Sequence, residues 1–122
     1  MISVSVRTRD GIPVRIEANG HGLRGADHRS ASCAAVSAVL KGLGVVLVEN
    51  SSCTVQGSVA GPGAFVLTVK DCRDQAWLQG VADLLGQTLQ EIALAWPEEV
   101  CFSADELSKT EFSRIEENSD GT

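Results

Sequence analysis

Apolar residues recur at every second position from Ile2 through Val4 and Val6, the period of a strand with one buried face. Asp10-Gly11 follows, a dipeptide suited to a two-residue hairpin turn. Val14 and Ile16 then predict an antiparallel return strand over 13–18. Between Asn19 and Ser32 the alternation stops, predicting a loop that contains Gly20, Gly22, Gly25 and both histidines, His21 and His28. From about Ala31 the spacing becomes helical, with Val36, Val39, Leu40, Leu43 and Leu47 three or four residues apart. Gly42 and Gly44 each weaken that helix by about 1 kcal/mol relative to Ala, pointing either to close packing against a neighbour or to early fraying. Two more strands are expected over 54–59 and 64–70, joined at Gly61-Pro62-Gly63. A second helix, capped by Asp71 or Asp74, carries Trp77, Val81, Leu84, Leu85, Ile92 and Trp96 as one stripe and stops at Pro97. Residues 100–103 suggest a short edge strand.

This order predicts an α+β fold: a four-stranded, mainly antiparallel sheet covered by two helices, arranged ββαββα. Residues 1–103 are expected to form a single domain. Residues 104–122 are polar and charged, and are expected to be a mobile tail.

Hydrophobic residues make up 43% of the 122 but aromatics only 4%, so the core must be aliphatic. Sixteen acidic against ten basic residues give a net charge of −6. That balance argues against nucleic-acid binding, which needs clustered cations to displace phosphate counterions. It suits a basic peptide better. The first residues alternate in polarity and lack a signal-peptide apolar run. The longest apolar stretches are interrupted by glycine and polar residues, so no membrane span is expected. The expected location is the cytosol. Cys33, Cys53, Cys72 and Cys101 contain no CxxC pair and are expected to be thiols there. Cys53, Cys72 and Cys101 read as buried and inert.

Cys33 differs from the other three because it opens a helix. A Ser30 cap would accept the Cys33 amide at the third helical position, leaving the sulfur near unpaired N–H groups that favour a thiolate. His21, twelve residues earlier and flanked by glycines, would add an imidazolium if the loop folds back over the helix start. Such a pair supplies a nucleophile and a proton donor for acyl transfer, with the helix-end amides available to an oxyanion. A buried, inert thiol explains the same residue type equally simply, since spacing alone does not bring the two side chains together. His21, His28 and Cys33 match no familiar zinc spacing, and no metal is expected. The glycine-rich run 57–63 lacks a Walker lysine and reads as a hairpin.

Gly20-His21-Gly22, followed after a fixed gap by Cys33-Ala34-Ala35-Val36-Ser37-Ala38, resembles the motif block of the ribosomal-processing cysteine protease (Prp) family. The resemblance spans about residues 1–103 and is specific over 20–38. It implies Cys33 as nucleophile, His21 as proton donor and acceptor, and Ser37 as a neighbouring site residue, while Gly20 and Gly22, bare on both sides of His21, would leave room for a substrate's backbone to approach. It further implies a homodimer that needs no cofactor. The implied reaction removes an N-terminal extension from a bacterial large-subunit ribosomal protein. The family's Gly-x-Asp-x-Val-Cys run is replaced here by Arg29-Ser30-Ala31-Ser32-Cys33. Serine can still cap the helix, but the carboxylate is missing, and Asp27 is one candidate to replace it. Ser37, one turn after Cys33, either bonds near the thiol or bonds back to the Cys33 carbonyl. The alternative function is a non-catalytic, dimeric, ribosome-associated binding module of the same fold that has lost activity.

Overall fold

The first strand, β1 (Ile2–Arg9), turns at Asp10 and Gly11 into β2 (Ile12–Gly20). Both turn residues have positive φ, 54° and 79°, the backbone that matches the twist of a tight hairpin. The computed structural model describes residues 1–20, 31–61 and 64–106, without the side chains of 58–61. The remaining elements are α1 (Ala31–Glu49), β3 (Cys53–Gly61), β4 (Ala64–Cys72), α2 (Gln75–Ala95) and β5 (Val100–Glu106).

The α+β class and the ββαββα order hold, and the sheet gains a fifth strand. Its order is β3-β4-β2-β1-β5. β1–β2, β2–β4 and β3–β4 are antiparallel, whereas β5 lies parallel to β1, from Ile2 opposite Val100 to Thr8 opposite Glu106. The expected short strand at 100–103 thus continues to Glu106. It does so because β1 offers it a full-length partner. Glu106 then accepts hydrogen bonds from the Thr8 hydroxyl at 2.5 Å and from the amides of Asp10 and Gly11. These donors hold its carboxyl below the usual range, the Thr8 bond being the largest cause.

One face of the sheet is apolar. Ile2, Val4, Val6, Ile16, Ala18, Leu67, Val69 and Val100 are buried there in one cluster with residues of both helices. From α1 come Val36, Leu40, Leu43 and Leu47, and from α2 come Leu78, Leu85, Leu89 and Ile92. α2 is capped by Asp74, whose side chain accepts the Trp77 amide at 3.1 Å, while Trp96 closes its C-terminal end. Leu84, expected on the buried stripe, is 71% exposed. It neighbours Leu85 in sequence, and a helix turns adjacent residues about 100° apart. Gly42 and Gly44 have open space where a Cβ would stand, and α1 runs on past them to Glu49. Neither close packing within this chain nor fraying accounts for them.

By length and composition α1 is apolar enough to cross a membrane, with a mean hydropathy of 2.0 over its most apolar window. That corrects the expectation that no segment approaches this limit, because interrupting glycines lower hydropathy little. In this fold one stripe of α1 packs into the sheet. The opposite side leaves Val45, Val46 and Val48 exposed.

The three cysteines expected to be buried occupy three different environments. Cys53 and Cys72 are register partners across β3–β4. Cys72 is buried, and its sulfur donates to the Asp74 carbonyl at 3.4 Å. Cys53 is half-buried, and its thiol is pushed up to about 12, first by burial and then by its hydrogen bond with Cys72. Cys101 is exposed, contrary to expectation, because it alternates with the inward Val100 on an edge strand.

Two outcomes follow from this packing. Leu89, fully buried, should cost about 2–5 kcal/mol when replaced by Ala, read from urea unfolding; a loss below about 1 kcal/mol would contradict its place in the core. A raised thiol pKa leaves little thiolate until the pH climbs well past 9. At pH 8.5 the Cys101 peptide should therefore alkylate about tenfold faster than that of Cys53, measured by site-resolved mass spectrometry, and equal rates would refute the assignment.

Candidate active site

Cys33 occupies the third residue of α1, the helical position the sequence suggested. It is half-buried and packs against the edge of the core. Ser32, immediately before it, is completely buried, and its hydroxyl donates to Glu99 Oε1 at 2.8 Å. Ser37 stands one turn further along α1 and is exposed.

Glu99 arrives from the turn between α2 and β5. Its own amide donates to the Trp96 carbonyl at 3.0 Å, as does the Val100 amide at 2.9 Å. Its carbonyl accepts the Ile2 amide at 2.6 Å. Ile2 in turn lies opposite Gly20 across β1–β2. Gly20, Ile2, Glu99 and Ser32 therefore form a continuous series of contacts. The end of β2, from which His21 follows, and the start of α1, which carries Cys33, meet at the same end of the sheet.

Gly20 has a φ of 101°, and a Cβ there would sit 2.0 Å from the Met1 carbonyl oxygen. Glycine is required by the chain's own backbone, a reason distinct from the room for a substrate suggested by the sequence. His21 and Gly22 lie outside the described residues, as do Asp27, His28, Arg29 and Ser30. The described part of the site is thus Gly20, Ser32, Cys33, Ser37 and Glu99.

Sequence reasoning missed Glu99. It is 66 residues from Cys33, in a turn without periodic pattern. Only the parallel pairing of β5 with β1 brings it to the start of α1, and no local signal announces that pairing. Its carboxylate reaches the start of α1 from another part of the chain, at the hydroxyl of Ser32.

A separate groove of about 320 Å³, lined among others by Arg9, Asp10, Pro13, Lys70, Asp71 and Gln75, opens beside the β1–β2 turn. It lies at the opposite end of the sheet from Glu99 and the start of α1. Its lining includes Cys72 but none of the residues around Cys33.

Comparison with solved structures places this arrangement among known folds. An essential ribosomal processing protease Prp from S. aureus, in complex with a covalently linked product peptide, superposes with a TM-score of 0.73 at 24% identity. The match covers 85% of this chain and 99% of that one. The same protease in complex with a substrate peptide gives a TM-score of 0.69 at 22% identity, with the same coverage. SMU.848 from Streptococcus mutans gives 0.70 at 23% identity, covering 88% of this chain and 99% of its own. At these identities the likeness establishes a shared fold. Comparison with curated proteins gives no significant match. The family model described as cysteine protease Prp matches residues 1–101, and with that match spanning most of its length the chain belongs to the cysteine protease Prp family.

Proposed function

We propose that this chain is a cysteine endopeptidase that removes an N-terminal extension from a bacterial large-subunit ribosomal protein. In this reading His21 takes the proton of Cys33, and the sulfur attacks the scissile carbonyl carbon. The carbon–nitrogen bond breaks as the imidazolium protonates the departing amine, leaving a thioester on Cys33. Water, losing a proton to His21, then attacks the thioester, releasing a carboxylate and restoring the thiol. Backbone amides in the first turn of α1 would face the oxyanion. Gly20, Gly22 and the exposed Ser37 would border the extended substrate.

The observation that carries this reading is the convergence of the end of β2 with the start of α1 through Ile2 and Glu99. Family membership supplies the chemistry. The S. aureus relative bound to a covalently linked product peptide supports a peptide as the substrate class. A cytosolic setting, where cysteines remain thiols, is included in the proposal.

A homodimer is part of the same proposal. Val45 and Val48, 56% and 68% exposed, lie three residues apart on the outer side of α1. A second copy would remove them from water.

Incubation with the organism's own extended ribosomal protein should yield a single shortened product. Cys33→Ala should abolish it, and His21→Ala should reduce it by at least about a hundredfold. Cys33 should alkylate rapidly at pH 6 in the parent chain and no faster than a free thiol in His21→Ala. Full cleavage by Cys33→Ala would sink the proposal, and binding without cleavage by the parent chain would favour the non-catalytic module. Light scattering should report a dimer for the parent chain and a monomer for Val45→Glu/Val48→Glu. A dimer that survives both substitutions would place the interface elsewhere.

A further inference from the structure

Resting on the reading of Cys33 as nucleophile, we propose that Glu99 is a positioning residue for the reaction, fixing the first turn of α1 through the hydroxyl of Ser32. The first turn of a helix is its least constrained part, because its leading amides lack partners four residues earlier. Cys33 stands in that turn, so its placement depends on whatever else anchors the helix start. Ser32 provides such an anchor. Its hydroxyl is wholly out of water, where an unmade hydrogen bond is costly. Its bond to Glu99 Oε1 at 2.8 Å is charge-assisted and correspondingly strong.

The anchor is firm because Glu99 is itself fixed. Its amide is bonded to the end of α2 and its carbonyl to the amide of Ile2, so the carboxylate extends from a backbone held on both sides. The same carbonyl contact reaches, through the Ile2–Gly20 pairing, the strand end from which His21 departs. Glu99 thus serves as a common reference for both arms of the proposed pair. A shift of about 1 Å between reacting groups is enough to cost two orders of magnitude in rate, and a carboxylate that fixes one group relative to the other acts at that scale. Glu99 acts on Cys33 through Ser32.

The test uses the full chain carrying Glu99→Ala, Glu99→Asp, Glu99→Gln, Ser32→Ala and the Ser32→Ala/Glu99→Ala double replacement. Cleavage of the extended ribosomal protein gives kcat and KM, site-resolved alkylation gives the reactivity of Cys33, and thermal unfolding gives Tm. Glu99→Ala and Ser32→Ala should each lower kcat and the Cys33 alkylation rate by about tenfold, with KM within about twofold of the parent. Glu99→Gln keeps an acceptor oxygen and should recover most of the loss. Glu99→Asp, which keeps the charge on a shorter arm and least disturbs folding, should not recover it. The double replacement should be no worse than either single one, because both remove the same contact. A lowered Tm with unchanged kcat and alkylation would overturn the proposal, as would effects that multiply in the double replacement. Activity retained in Cys33→Ala would instead remove the nucleophile assignment. Cys33 alkylation still tests the anchor if the parent chain does not cleave.

Discussion

The parallel pairing of β5 with β1 is the constraint on which the described site depends. It joins residues nearly a hundred positions apart, Ile2 to Val100 and Thr8 to Glu106. At one end it brings Glu99 to the start of α1; at the other it brings Glu106 to the Asp10-Gly11 turn. Without β5, β1 would be an edge strand, and the Ile2 amide would lack the Glu99 carbonyl. The buried hydroxyl of Ser32 would lose its carboxylate acceptor. The hydrophobic effect accounts for the layering of helices on sheet. It does not fix the relative placement of the two chain segments that flank residues 21–30, which comes from directional hydrogen bonds at the sheet end.

The two helices make different use of their apolar surface. α2 places Leu78, Leu85, Leu89 and Ile92 in the core beneath the sheet, and its outer side carries glutamines and acidic residues together with the exposed Leu84 and Leu94. α1 is apolar more nearly all around, so burying one stripe leaves valines in water. A helix of that kind has surplus hydrophobic surface beyond the needs of its own domain. The surplus begins three turns beyond Cys33, so a copy docked there would cover the outer side of the helix that bears Cys33.

Much of the architecture was legible in local patterns. The alternation of Val4 and Val6, the Asp10-Gly11 turn and the spacing of Leu40, Leu43 and Leu47 specify their elements unaided, because each depends on interactions a few residues long. The cap of α2 was narrowed to two aspartates, and Asp74 fills the role. What escaped notice was long-range. The full length of β5 depends on a distant partner strand, and the exposure of Cys101 follows from its position on the sheet edge. Leu84 was misplaced because a stripe containing two consecutive leucines is ambiguous about which one faces inward. The place of Cys33 at a helix start was legible from the spacing of the residues that follow it. Glu99 was invisible because nothing in its immediate neighbourhood distinguishes it from the adjacent Glu98. His21, Gly22 and Ser30 fall outside the described residues.

The pairing of first strand with last also bears on how the protein is made. A parallel ladder between segments so far apart in sequence forms late, since the intervening chain must be closed into a loop before any of its bonds is gained. During synthesis, α1 and the first hairpin emerge well before Glu99 has left the ribosome. A nascent chain therefore holds its thiol on a helix whose anchor does not yet exist. A chain assembled in this order acquires the geometry around Cys33 only when β5 is released.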